Sequence, residues 1–199
     1  VKAQTVVTIG TGTLNSYFYG PIYRSSATSS FNNSRYAYLY TASELGIPSG
    51  SSITKVEWFL NSGTLSANNS FDILMSNTTN STLTSGSTWG TLSSGATTVY
   101  SSTTQAFTPT SSWLAFNLST PFVYNGGSLQ ILTAHVKSGT ASAALNFTYS
   151  SATNLAIGAA SSSALTNSTT LSTATYGNNR PNIRITYTPP PACSVPTAQ

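Results

Sequence analysis

An antiparallel two-sheet β-sandwich of jelly-roll type, with about nine strands, is the fold this sequence predicts. Three observations predict it. Apolar and polar residues alternate with period two in short segments, each bounded by Gly, Asn, Ser or Pro clusters. Helical periodicity is nearly absent. The chain of 199 residues also carries eight Phe, eleven Tyr and three Trp, enough aromatic area to fill a core between two sheets.

The segments follow in order. Thr5 to Ile9 is a short first strand, stopped by Gly10 and Gly12. Tyr36 to Tyr40 alternates three tyrosines with Ala37 and Leu39, so the tyrosine face is either core or a binding face, and the apolar Ala37 and Leu39 allow the strand to be covered on both sides. Ile53 to Leu60 sets Val56, Trp58 and Leu60 against Lys55 and Glu57. Phe71 to Met75 and Thr97 to Tyr100 come next. Trp113 to Leu118 alternates well enough that Trp113, like Trp58, is expected in the core. Leu129 to Val136, Ala144 to Tyr149 and Asn182 to Tyr187 complete the set. One helical turn is expected, Thr41 to Leu45, because Thr41 and Glu44 have capping-box spacing and Gly46 can end the turn left-handed. Ser150 to Asn179 thins to small polar residues and reads as a long surface loop or irregular hairpin. Pro189 to Pro191 then mark a stiff linker, so the domain is expected to cover 1–188 and residues 189–199 to be the linker and the start of another module.

Charge narrows the function. Seven Lys or Arg and three Asp or Glu make 5% of the chain, against roughly 25% in an ordinary soluble domain. The cations are scattered, without the stripe that nucleic-acid binding requires. One His and one Cys do not build the usual zinc ligand sets, and tight calcium sites recruit several carboxylates where Asp72 is the single Asp. No apolar run reaches the roughly 18 residues of a membrane span. The opening Val1 to Gln4 fits the tail of a cleaved signal peptide. Neither metal nor cofactor is expected.

The order of segments resembles a known family. Thr8 to Thr13, the aromatic loop Tyr17 to Tyr23, Tyr40 to Gly46, Ile53 to Phe59, Phe71 to Thr79, Thr120 to Gly126 and Arg180 to Tyr187 together are similar to the N-terminal β-sandwich domain of modular secreted and cell-surface proteins of the Bacteroidetes. The resemblance implies type IX secretion, a fibronectin type III module beginning near Ala192, and a role in adhesion, filament formation or accessory binding. Where members of that family often carry acidic residues, this chain has His135 and Lys137.

Candidate sites are few. Catalysis by paired carboxylates would have to use Glu57 and Asp72, since Glu44 is assigned to the cap, and Glu57 has Lys55 two residues away as a strand-surface partner. His135 is the single base for a serine nucleophile, but no Gly-x-Ser-x-Gly elbow accompanies it, and a half-buried structural histidine is the default. Seven Asn-x-Ser/Thr sequons, at Asn32, Asn68, Asn77, Asn80, Asn117, Asn146 and Asn167, matter only in a host with N-linked machinery. Aromatic surface remains. Tyr17, Tyr19 and Tyr23 around Gly20-Pro21, and Trp89 in a Gly/Ser-rich loop, are the candidate ligand-binding residues, the loop alternatively plugging one end of the sandwich. The sequence therefore predicts a non-enzymatic, secreted or cell-surface structural module, an adhesin or extracellular filament subunit that self-associates or holds a polysaccharide or surface ligand through neutral polar and aromatic surfaces. A carbohydrate-binding accessory domain of a secreted hydrolase is the alternative.

Overall fold

The computed structural model describes residues 3–23, 31–108, 110–138, 144–173 and 178–191. Its strands are β1 (Thr5–Ile9), β2 (Asn15–Ser16), β3 (Asn33–Tyr40), β4 (Ser52–Ser62), β5 (Leu65–Thr78), β6 (Thr97–Phe107), β7 (Ser112–Val123), β8 (Ser128–Val136), β9 (Asn146–Ser151), β10 (Ala156–Ser161), β11 (Asn179–Pro181) and β12 (Ile183–Thr188). Two short helices, α1 (Ala42–Leu45) and α2 (Trp89–Ser93), accompany them. Each segment read as a strand from the sequence overlaps one of these strands, although Ala144, Leu145 and Asn182 fall outside them. β2, β10 and β11 were not foreseen, so the described residues hold more strands than expected.

Both sheets are antiparallel. One has five strands in the order β10-β3-β8-β5-β6, and the other has seven, in the order β1-β12-β4-β9-β11 with β7 on the free edge of β4 and β2 on β9. Leu60 of β4 is paired with Ser112 of β7 on one edge and Phe147 of β9 on the other, so β9 takes over the edge of β4 that β12 occupies farther back.

The shared core is aromatic. Trp58 of β4 and Phe116 of β7 come from one sheet, Phe71 of β5 and Phe107 of β6 from the other, with ring centroids 5.4 Å apart for Trp58–Phe116 and 5.0 Å for Phe71–Phe116. Period-two alternation puts Val56, Trp58 and Leu60 inside and Lys55, Glu57 and Phe59 outside on β4. On β7 the same rule buries Leu114, Phe116 and Leu118. Trp113 is thereby turned to the outer face, where it is half-buried, which corrects its expected core position.

The five-stranded sheet is covered on both faces. Ala37 and Leu39 of β3, Leu132 of β8 and Ile157 of β10 form a second cluster on its outer side, capped by Leu83, Trp89 and Leu171. α2 and residues 162–173 make this outer layer, joined by the N–H of Trp89 donating to the Thr169 carbonyl (2.8 Å) and that of Leu171 to the Ser87 carbonyl (2.9 Å). Part of the stretch read as a surface loop is therefore the β10 edge strand and a strap packed against the sheet.

α1 forms where its cap predicts. The Glu44 carboxylate accepts from the Thr41 N–H at 2.9 Å and Gly46 ends the turn at φ 57°. β12 ends at Thr188. The expected following module, Ala192 onward, lies outside the described residues.

Candidate functional site

The aromatic loop plugs the fold. Tyr36 donates its hydroxyl to the Phe18 carbonyl (2.8 Å), Tyr38 to that of Gly20 (2.5 Å), and Thr133 to that of Pro21 (2.7 Å). Gly20 has no substitute there, since a Cβ would stand 2.1 Å from the Phe147 ring. Tyr23 is only 5% exposed and packs on Phe18 and Phe31, so it presents no binding surface. Tyr17 and Tyr19 are half-buried, and the Tyr19 ring meets Tyr149 edge-on at 4.6 Å. The alternative in which the loop closes the sandwich thus describes Tyr23 and Gly20, while Tyr17 and Tyr19 keep a rim position.

Trp89, expected to be exposed, is also 5% exposed. It is the first residue of α2, whose N-cap Thr88 accepts the Thr91 N–H, and its ring is turned down onto the five-stranded sheet. The Arg35 guanidinium lies 4.6 Å from its centroid and donates to the Leu165 carbonyl at 2.9 Å. The predicted site residues are therefore not brought together into one surface.

What the outer layer does build is a groove of about 790 Å³ between the end of β5, residues 79–87 and α2. Its lining is mainly hydroxyl and amide, with Ser76, Asn77, Asn80, Thr82, Thr91 and Ser94 representative and Leu83, Leu92 and Gly95 the exceptions, and it includes no charged side chain. Gln130 of β8 forms the floor. Although only 6% exposed, its amide donates to Ser76 Oγ (3.2 Å) and to the Leu92 carbonyl (2.9 Å), which fixes the base of the groove. Asn77 fixes one wall by donating to the Val123 carbonyl and accepting from the Asn125 N–H. The exposed side chains of Asn80, Thr82 and Ser94 meet water. No local motif announces this groove, because its walls come from β5, α2 and β8; the signal available was the run of small polar residues from Ser76 to Ser87, broken by Leu83 and Gly86.

The ionisable residues are spread apart. Glu57 faces out from the seven-stranded sheet, bridged to Lys55 at 3.0 Å, and Asp72 faces out from the other sheet, accepting from Ser101 Oγ at 2.6 Å. The two carboxylates stand on opposite outer faces and do not converge on one bond. Glu44 pairs with buried Arg180 (2.6 Å), whose guanidinium stacks on Tyr40 at 4.2 Å. Burial alone would raise the Glu44 carboxyl, but hydrogen bonds from Arg180 and Thr41 outweigh it and hold the group below the usual carboxylate value. His135 is fully buried, more so than the half-buried position expected, edge-on to Phe107 at 5.7 Å. Burial, aided by Lys137, pushes it down to about 3, so the imidazole is neutral at ordinary pH. Among the described residues no three of His, Cys, Asp and Glu gather as metal ligands, and no helix is long and apolar enough to cross a membrane.

No family model matches the chain, and no curated protein does. The family expected from the seven ordered motifs is therefore not found by these comparisons. Solved structures are similar in fold. The cysteine protease and lectin-like domains of a surface-layer-associated protein of Clostridium difficile match 80% of this chain and 33% of that one, at 9% identity and a TM-score of 0.49. The clostridial cysteine protease after propeptide cleavage matches 94% of this chain and 40% of that one, at 10% identity and a TM-score of 0.52. This chain thus spans well under half the length of either.

Proposed function

We propose that this chain is a secreted, cell-surface carbohydrate-binding module without catalysis of its own, which takes a neutral polysaccharide into the groove between β5 and α2. The observation that carries the reading is a groove of about 790 Å³ lined by hydroxyls and amides with no charged side chain. Hydroxyls and amides both donate and accept, as sugar hydroxyls do, whereas carboxylates only accept and ammonium groups only donate. The volume lies in the roughly 300–1,000 Å³ range of ordinary ligand sites. An open polar groove without a ring to stack on gives weak binding, with Kd on the order of 1 mM for a short oligosaccharide. The fold likeness to a surface-layer-associated protein with lectin-like domains supports both the sugar and the surface location.

We also read the sandwich as a jelly roll. The orders β1-β12-β4-β7 and β3-β8-β5-β6 support this, since each sheet interleaves early and late strands as two wound Greek keys would, with β9, β10 and β11 inserted before the last strand. Type IX export rests on the seven sequence motifs, and a following fibronectin type III module on them and on the similarity of residues 191–197 to the start of such a module.

The test is calorimetric titration with neutral oligosaccharides selected on a glycan array. Ser94→Tyr fills the groove from an exposed position and is expected to abolish binding while leaving the melting temperature unchanged. Binding that survives Ser94→Tyr, or an array with no neutral ligand, contradicts the proposal.

A second reading, an adhesive or filament subunit, is favoured by one observation. The edge strands β1, β6 and β7 contain no Lys, Arg, Asp or Glu to guard them against pairing with another copy. A chain that stays monomeric at high concentration in size-exclusion chromatography, without fibres in electron micrographs, removes that reading.

A further inference from the structure

Among the described residues no layer like that of α2 covers the outer face of the seven-stranded sheet, which carries an arrangement the groove does not use. Phe59 of β4 and Trp113 of β7 are register partners, with rings 5.5 Å apart and nearly perpendicular. Arg184 of β12 reaches across β4 so that its guanidinium carbon lies 4.1 Å from the Trp113 centroid. All three side chains are half-buried and so half-open to solvent.

Arg184 differs from the other described arginines. Arg180 is bound to Glu44 and Arg35 to the Leu165 carbonyl. Glu57 is the register partner of Arg184, but its carboxylate is bridged to Lys55 at 3.0 Å. Among the described residues Arg184 has neither an ion pair nor a hydrogen bond, and stacking on Trp113 alone holds it. A guanidinium fixed on a ring keeps its planar fork of donors free, and little rotamer freedom is left to lose when an anion arrives.

We propose that Arg184, held over Trp113 and flanked by Phe59, is a binding site for an acidic saccharide: the carboxylate of a uronic acid residue sits on the guanidinium fork, and the apolar face of the sugar ring lies against the exposed parts of Phe59 and Trp113. Charge complementarity argues for this occupant. The chain is net +4, the carboxylate of the register partner Glu57 is already bridged to Lys55, and the fork matches a carboxylate bidentately. The site is separate from the groove, which lies on the other sheet, and does not depend on its function.

The experiment uses the fluorescence of Trp113, because Trp58 and Trp89 are buried and a solute reaches neither. The protein is excited at a wavelength selective for tryptophan and titrated with tetramers of galacturonic and mannuronic acid, a neutral galactose tetramer, and acetate. A saturable response to a uronate tetramer that weakens with added salt, with none for the neutral tetramer, is expected. Arg184→Gln should weaken it by at least about tenfold, the worth of a charge-assisted hydrogen bond, and Arg184→Lys by less. Both variants should melt as the parent does. The groove variant Ser94→Tyr should respond as the parent, which separates this site from the proposed function. No saturable response to either uronate, a response undiminished in Arg184→Gln, or an equal response to acetate would overturn the proposal, the last reducing the site to one for simple anions.

Discussion

Trp89 and Trp113 are both tryptophans outside the shared core, each with an arginine on its ring, yet they live in opposite circumstances. Trp89 is pressed onto the five-stranded sheet beneath α2 and the 162–173 strap, with Arg35 at 4.6 Å. Trp113 stands on the uncovered face of the seven-stranded sheet, with Arg184 at 4.1 Å and solvent beside it. The same pair of residue types acts as structural cement where a further layer of chain covers it and as surface where no described layer does. Composition of the local segment does not decide which, since Trp89 lies among small polar residues and Trp113 in a clean alternating strand.

Substitution should divide the two regions. Trp89→Ala opens a cavity between α2 and the sheet and is expected to cost about 3–5 kcal/mol in urea unfolding. It should also collapse the groove above it. Trp113→Ala removes a half-buried ring and is expected to cost about 1 kcal/mol. Equal losses would erase the distinction between a covered and an open face.

The arginines sharpen the same contrast with a smaller effect. Glu44→Gln strips the charged partner from buried Arg180 and is expected to cost about 2 kcal/mol. Because the Glu44 carboxyl is held below its unfolded value, its contribution is present above roughly pH 4.3 and is lost as the pH falls through the lower folded value. Arg184→Gln, with no partner to strand, should stay within about 0.5 kcal/mol.

His135 gives its signature in pH rather than in a partner lost. Its folded value, about 3, lies below the unfolded value of about 6.5, so the unfolded chain binds the proton first. Stability is therefore full above about pH 6.5 and falls as the pH drops toward 3, by at most about 1.4 kcal/mol per pH unit. Unfolding free energies measured between pH 7 and 4 should show that slope in the parent and lack it in His135→Leu.

Local signals were legible and remote ones were not. The alternation of β4 and the Thr41/Glu44 spacing each act within a few residues, so strand and cap could be read directly. Trp113 was also readable: Leu114, Phe116 and Leu118 are the more uniformly apolar set, and they are the buried ones. Trp89 was harder, because Thr169 and Leu171, far along the chain, make its cover. The warning lay in β3, where Ala37 and Leu39 are apolar opposite three tyrosines and so require a cover on the second face. Tyr17, Tyr19, Tyr23 and Trp89 stand near Gly and Ser as exposed binding aromatics do, but large rings in such surroundings also serve as plugs. The groove was invisible residue by residue, since hydroxyls carry no distinctive spacing; only the shortage of charge pointed to neutral chemistry.

Chemical-shift mapping with a neutral oligosaccharide tests the central claim most directly. Saturable shifts confined to Asn80, Thr82, Thr91, Ser94 and the Gln130 side-chain amide, absent in Ser94→Tyr, are the predicted result. Shifts that cluster instead at Tyr17, Tyr19 and Tyr149, or that do not saturate anywhere, would contradict it.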